Sequence, residues 1–156
     1  MGLNTSNHVL THGSAQDQIT FKGNYIYGTS GRAPKVAGNT LLHAVNNYWE
    51  DNTGHAFEIS SGAQILAEGN TFNSVKAPIE DASAGGSLLT INDSTAAAAC
   101  EQYIGRACAV NTLTDSGDFT GTTDASFLSN FGSIEAAAAD ETSAATIKAA
   151  AGVGKL

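Results

Sequence analysis

The chain has 156 residues, 42% of them hydrophobic, with seven Lys and Arg against fifteen Asp and Glu and a net charge of −8. That length suits one domain with a modest core, and the composition is not that of a disordered chain. The acidic balance repels nucleic acid and anionic membrane, so neither is an expected partner, and no apolar run approaches the ~20 residues of a membrane helix.

In chain order, residues 1–16 read as an irregular segment. "MGLNTSNHVLTHG" has no basic stretch leading into an apolar one, so no signal peptide is visible in this chain. Two sequons, Asn4-Thr5-Ser6 and Asn92-Asp93-Ser94, permit glycosylation.

A repeat follows. "QITFKGNYIY", "LLHAVNNYWE" and "QILAEGNTFN" align on Asn24, Asn47 and Asn70, a step of 23 residues each time. Five positions before each Asn stand Ile19, Leu42 and Ile65; three before stand Phe21, Ala44 and Ala67; two after stand Ile26, Trp49 and Phe72. Apolar alternation with period two predicts strands. Gly or Asn at a fixed place predicts a recurrent bend, because both tolerate left-handed torsions. A unit this short does not fit a propeller blade and lacks the leucine pattern of leucine-rich repeats. It suits one coil of a right-handed parallel β-helix, with the three asparagines stacked ~4.8 Å apart and their amides bonded up the stack. The competing reading is an antiparallel β-sandwich with coincidental spacing. The expected organisation is β-helix coils over 17–95, about three to four of them, then a loop and helical tail over 96–156.

After residue 80 the pattern fades. "AAAACEQYIGRAC" predicts a short helix carrying Cys100 and Cys108. With no nearby histidine and no CxxC spacing, zinc is not expected. A local disulfide, which would imply an oxidising compartment, and a pair of unpaired buried thiols both stay open on spacing. Asp124 is the expected N-cap before "ASFLSNF". The Ala-rich tail is helix-prone, with Gly152 as its stop.

The scarce cations cluster in "TSGRAPKV", where Arg32 and Lys35 flank Pro34, a residue of fixed torsion with no amide donor. Read alone, this is an exposed turn with two solvated cations. His43 and His55 read as hydrogen-bonded strand residues. Trp49, Tyr48 and Tyr25 read as core more than as sugar-stacking platforms. Glu58, Glu68 and Glu80 lie too far apart in sequence to nominate a glycosidase carboxylate pair.

"KGNYIYGTSGRAPKV", "NTLLHAVNNYWEDNTGHAFEI" and "QILAEGNTF" together resemble the C-terminal half of fungal-type pectin lyases, in the pectate lyase superfamily (polysaccharide lyase family 1). The likeness runs from about Asp17 to Glu80, and more loosely through "CEQYIGRAC". It implies a right-handed parallel β-helix, a Cys100–Cys108 disulfide, a secreted enzyme, and β-elimination in methyl-esterified polygalacturonan (pectin) with no cofactor or metal. It makes Arg32 the proposed proton-abstracting residue and Lys35 a substrate-binding neighbour.

Chemistry complicates that role. A guanidinium holds its proton, with pKa above ~12. The alternative assignment has Arg32 and Lys35 polarising the ester carbonyl and steadying the enolate, with water or a transiently neutral Lys35 as base. An esterified polymer needs no metal to mask its charge, which fits an acidic protein.

The earlier coils of a complete pectin lyase, with an aspartate, another arginine and most aromatic subsites, have no counterpart here. Three expectations follow: a fragment with weak or no activity alone, a small lyase that self-associates through its open N-terminal coil, or a non-catalytic β-helix that binds pectin or serves as a structural module.

Overall fold

The 23-residue step recurs as strand pairing. In this computed structural model, which describes residues 17–80, 85–132 and 143–152, every paired strand runs parallel to its neighbour. The expected irregular segment 1–16, with the Asn4 sequon, lies outside the described residues, as does part of the tail.

The first sheet stacks β1 (Gln18–Lys22), β4 (Leu41–Val45), β7 (Gln64–Glu68) and β10 (Ser87–Thr90). The second stacks β2 (Tyr25–Tyr27), β5 (Tyr48–Glu50), β8 (Thr71–Asn73) and β11 (Thr112–Thr114). The third stacks β3 (Lys35–Val36), β6 (His55–Ile59) and β9 (Ala77–Ile79). Three parallel sheets wound in this order form a β-solenoid of about three turns, a parallel β-helix. The sandwich alternative, which needs antiparallel pairs, is excluded.

The register is the one the alternation predicts. Ile19, Leu42, Ile65 and Leu88 pair in one column, and Ile26, Trp49, Phe72 and Leu113 in another. Both columns point inward and pack into one core. Trp49 stacks on Phe72 with ring centroids 4.9 Å apart, and Phe72 meets Phe119 at 4.7 Å. Interlocked aromatic rungs of this kind each add about 0.5–1.5 kcal/mol beyond their area burial.

The bends follow from residue type. Gly23, Asn46 and Gly69 take φ of 67°, 51° and 61°, left-handed torsions that Gly and Asn accept at little cost. Each precedes a rung of the asparagine ladder. Asn24 donates its backbone N–H and side-chain amide to Asn47 Oδ1, both at 3.0 Å. Asn47 does the same to Asn70 Oδ1 at 2.9 and 3.0 Å. Asn70 continues to Asn111 Oδ1 at 2.9 and 3.2 Å. The fourth rung lies 41 residues past the third, where the earlier step is 23. The extra chain forms α1 (Ser94–Ala99) and α2 (Glu101–Ile104), so β11 falls inside the segment expected to be loop and tail.

Asp93 caps α1, accepting from the Thr95 and Ala96 N–H groups at 2.8 Å. Cys100 and Cys108 are disulfide-bonded. With Leu128 and Phe131 they cover the outer face of the first sheet at Leu41, Leu66 and Leu89, a second core. Asp124 accepts from the Ser126 N–H ahead of a 3₁₀ helix, Ser126–Asn130. The described part of the tail forms α3 (Ala144–Ala150), capped by Ser143. Among the described residues no helix is long and apolar enough to cross a membrane.

Candidate functional site

Arg32 and Lys35 reach one flank of the third sheet because the turn before β3 is pinned on several sides. From inside the coil, Trp49 Nε1 donates to the Ala33 carbonyl at 2.7 Å. From the next coil, the Ala33 N–H donates to the Ala56 carbonyl at 2.9 Å, and the Thr53 N–H to the Thr29 carbonyl at 3.0 Å. Gly54 lies so close that a Cβ there would sit 2.5 Å from the Ser30 carbonyl oxygen. Only glycine allows that approach. The Ala33–Pro34 peptide is cis.

Parallel stacking then supplies the partners. Arg32 bridges to His55, and Lys35 pairs in register with Glu58. Glu58 takes both cations at once: Lys35 Nζ lies 2.6 Å from Oε1, and Arg32 Nε donates to Oε2. His55 Nε2 lies 3.2 Å from Glu58 Oε2 and 3.0 Å from Glu80 Oε2. The Arg32 side chain is 56% exposed and Glu58 only 13%, so the carboxylate lies beneath and the guanidinium faces solvent. Burial pushes the Glu58 carboxyl up, but hydrogen bonds from Lys35, Arg32 and His55 together hold it down at about 2. The same contact, with the Glu58 charge, raises Arg32 above its ordinary value.

His55 and Glu58 lie three residues apart on β6, and Glu80 meets them because the next coil stacks β9 in register. Their donor atoms lie within 4.8 Å of one another, the one metal-sized group of such side chains among the described residues. Two cations already satisfy Glu58. His55, expected to be a strand residue with hydrogen bonds, has them but is only half-buried. His43 is fully buried and bonded, its Nε2 2.7 Å from Glu68 Oε1.

Glu68 forms a second cation-held carboxylate away from this flank. Arg106, from the disulfide loop, binds it through two nitrogens at 2.9 and 2.5 Å, and the Ala109 N–H adds a bond at 2.8 Å. Burial raises the Glu68 carboxyl, and the Arg106, His43 and Ala109 contacts more than reverse that, to about 2. On the second sheet, Lys148 of α3 lies 2.6 Å from Glu50, which also accepts from Tyr25 and Tyr48. Trp49 and Tyr48 are buried, as expected of core; Tyr25 is half-buried and Tyr27 is 60% exposed.

The parallel β-solenoid agrees with what the sequence comparisons find. The family model described as pectate lyase matches residues 2–156, so the chain belongs to that family. It is 56% identical over 138 residues to "Pectin lyase 2" of Aspergillus oryzae and to "Probable pectin lyase D" of Aspergillus flavus, covering 88% of this chain and 36% of each relative. It is 50% identical over 144 residues to "Pectin lyase B" of Emericella nidulans, covering 91% of this chain and 38% of the relative. The chain thus spans somewhat over a third of the length of these curated relatives.

Proposed function

We propose that this chain forms the C-terminal coils of a pectin lyase and contributes Arg32 and Lys35 to β-elimination in methyl-esterified polygalacturonan. The observation that carries the reading is the meeting of both cations on Glu58, on one solvent-facing flank. Elimination removes the C5 proton of a uronate ester, forms the C4–C5 double bond, breaks the C4–oxygen bond and delivers a proton to the departing oxygen. The negative charge that builds on the ester carbonyl as C5 loses its proton needs fixed donors nearby.

Of the two assignments for Arg32, the stabilising one fits better. A guanidinium held against Glu58 is less often available as a base than a solvated one, since the contact favours its protonated form. It is a good donor to a developing enolate, because it is planar and permanently charged. Lys35 supplies a second positive charge beside it. The disulfide supports secretion, since such bonds persist in oxidising compartments.

Joined to the preceding coils of a full-length relative, the chain should convert highly esterified pectin into ultraviolet-absorbing unsaturated uronides and lose that with Arg32→Ala, whereas the chain alone should give little or no product. Binding without product in the joined form would favour the alternative, a non-catalytic pectin-binding or structural module. Loss of product on chelation would move the substrate from pectin to pectate. Ile19 and Phe21 are only half-buried on edge strand β1, which supports testing self-association through the first coil by size measurement in solution.

A further inference from the structure

We infer that Glu58 is a specificity-determining residue: by occupying the Arg32–Lys35 pair it sets the flank to accept an uncharged uronate ester and to refuse a free uronate carboxylate. The inference rests on the functional reading above and adds which group makes the distinction.

The argument is one of charge balance. Two bare cations on a surface would form an anion site, and their natural ligand would be the carboxylate of a de-esterified polymer. A guanidinium and an ammonium together recognise carboxylates well. Here that ligand position is already filled from within the chain. Glu58 places one oxygen on Lys35 Nζ at 2.6 Å and the other on Arg32 Nε. Its carboxyl stays ionised throughout the neutral and mildly acidic range, being held at about 2. Glu80, reached through His55 at 3.0 Å, adds a second negative charge against the two positive ones. An incoming carboxylate must therefore compete with a built-in one and approach a second. An ester carbonyl meets no such penalty, since it needs only a donor, and the 56% exposed Arg32 side chain offers an accessible face. Specificity of this kind comes from disfavouring the wrong ligand as much as from attracting the right one.

The geometry gives Glu58 little alternative. It lies directly across from Lys35 on the neighbouring coil, fixed by the parallel register. Its side chain is 13% exposed, beneath the two cations, so it is placed to screen them and not to bind polymer itself.

The test is calorimetric titration of the full chain with fully methyl-esterified and fully de-esterified oligogalacturonides. The wild type should prefer the ester. Glu58→Gln should raise the ratio of free-acid to ester affinity by about tenfold at low salt, as expected for one unmasked unit charge at close range. The gain should shrink at high ionic strength. Lys35→Gln should move that ratio the other way, and it serves as an independent check should Glu58→Gln fail to fold. A folded Glu58→Gln with an unchanged ratio, or Lys35→Gln with no fall in it, overturns the role of Glu58 while leaving the functional reading intact. A wild type that binds neither oligomer overturns both.

Discussion

Glu58 and Glu68 are both held by basic side chains and a histidine, and both carboxyls sit near 2, yet they occupy opposite settings. Glu68 is wholly buried and closes the disulfide loop onto the first sheet through Arg106. Glu58 lies on the flank of the third sheet under an arginine more than half exposed to water. The same chemical grouping is sealed from water in one place and open to solvent in the other. Burial decides the cost of breaking it, since an ion pair stripped of one partner costs several kcal/mol in the interior and little at the surface.

The largest effect expected from this contrast follows removal of the buried carboxylate. Glu68→Ala removes the buried carboxylate that Arg106, His43 and the Ala109 N–H all bind and should cost about 3–5 kcal/mol. Thermal melting should register this as a drop of about 10 °C or more. A drop of only a degree or two would erase the distinction between the two sites.

Acid should expose the same difference. The folded-state value of Glu68 is about 2 against an ordinary 4.5, so its contribution is fully present above about 4.5 and is lost as pH falls toward 2. The shift corresponds to about 3 kcal/mol of stability for this buried group. Melting temperatures of wild type and Glu68→Ala should therefore converge as pH falls through that window, and parallel curves would contradict the assignment.

A smaller cost, with a consequence for ligand binding, is expected at Gly54. Alanine there pushes a Cβ against the Ser30 carbonyl, so the turn that carries Arg32 must shift. The cost should be about 1–3 kcal/mol, with weaker binding of esterified oligomers even where the variant is folded. Smallest of all, Glu58→Gln should change stability by no more than about 1 kcal/mol while altering ligand preference, which sharpens the contrast with Glu68.

Much of the fold was readable in the sequence because a solenoid repeats its environment. Ile19, Leu42 and Ile65 face the same interior, so the 23-residue step surfaces as alternation around Asn24, Asn47 and Asn70. Asn111 escaped because α1, α2 and the disulfide loop intervene before the ladder resumes. The candidate site was half readable. Arg32 and Lys35 are close in sequence and stand out in an acidic chain. Glu58 belongs to them only through stacking, one 23-residue step beyond Lys35, and Glu80 only through the coil after that. The repeat that revealed the fold also carried that signal, but carboxylates on the outer face obey no apolar pattern that would mark them. The close approach at Gly54 left no trace beyond the glycine itself.

The most direct test of the central claim is the affinity of Arg32→Ala for methyl-esterified oligogalacturonide, measured at a temperature where the variant is fully folded. A large loss of binding with an unchanged melting temperature is predicted. Binding equal to that of the wild type would show that the flank built around Glu58 is not where the polymer is held.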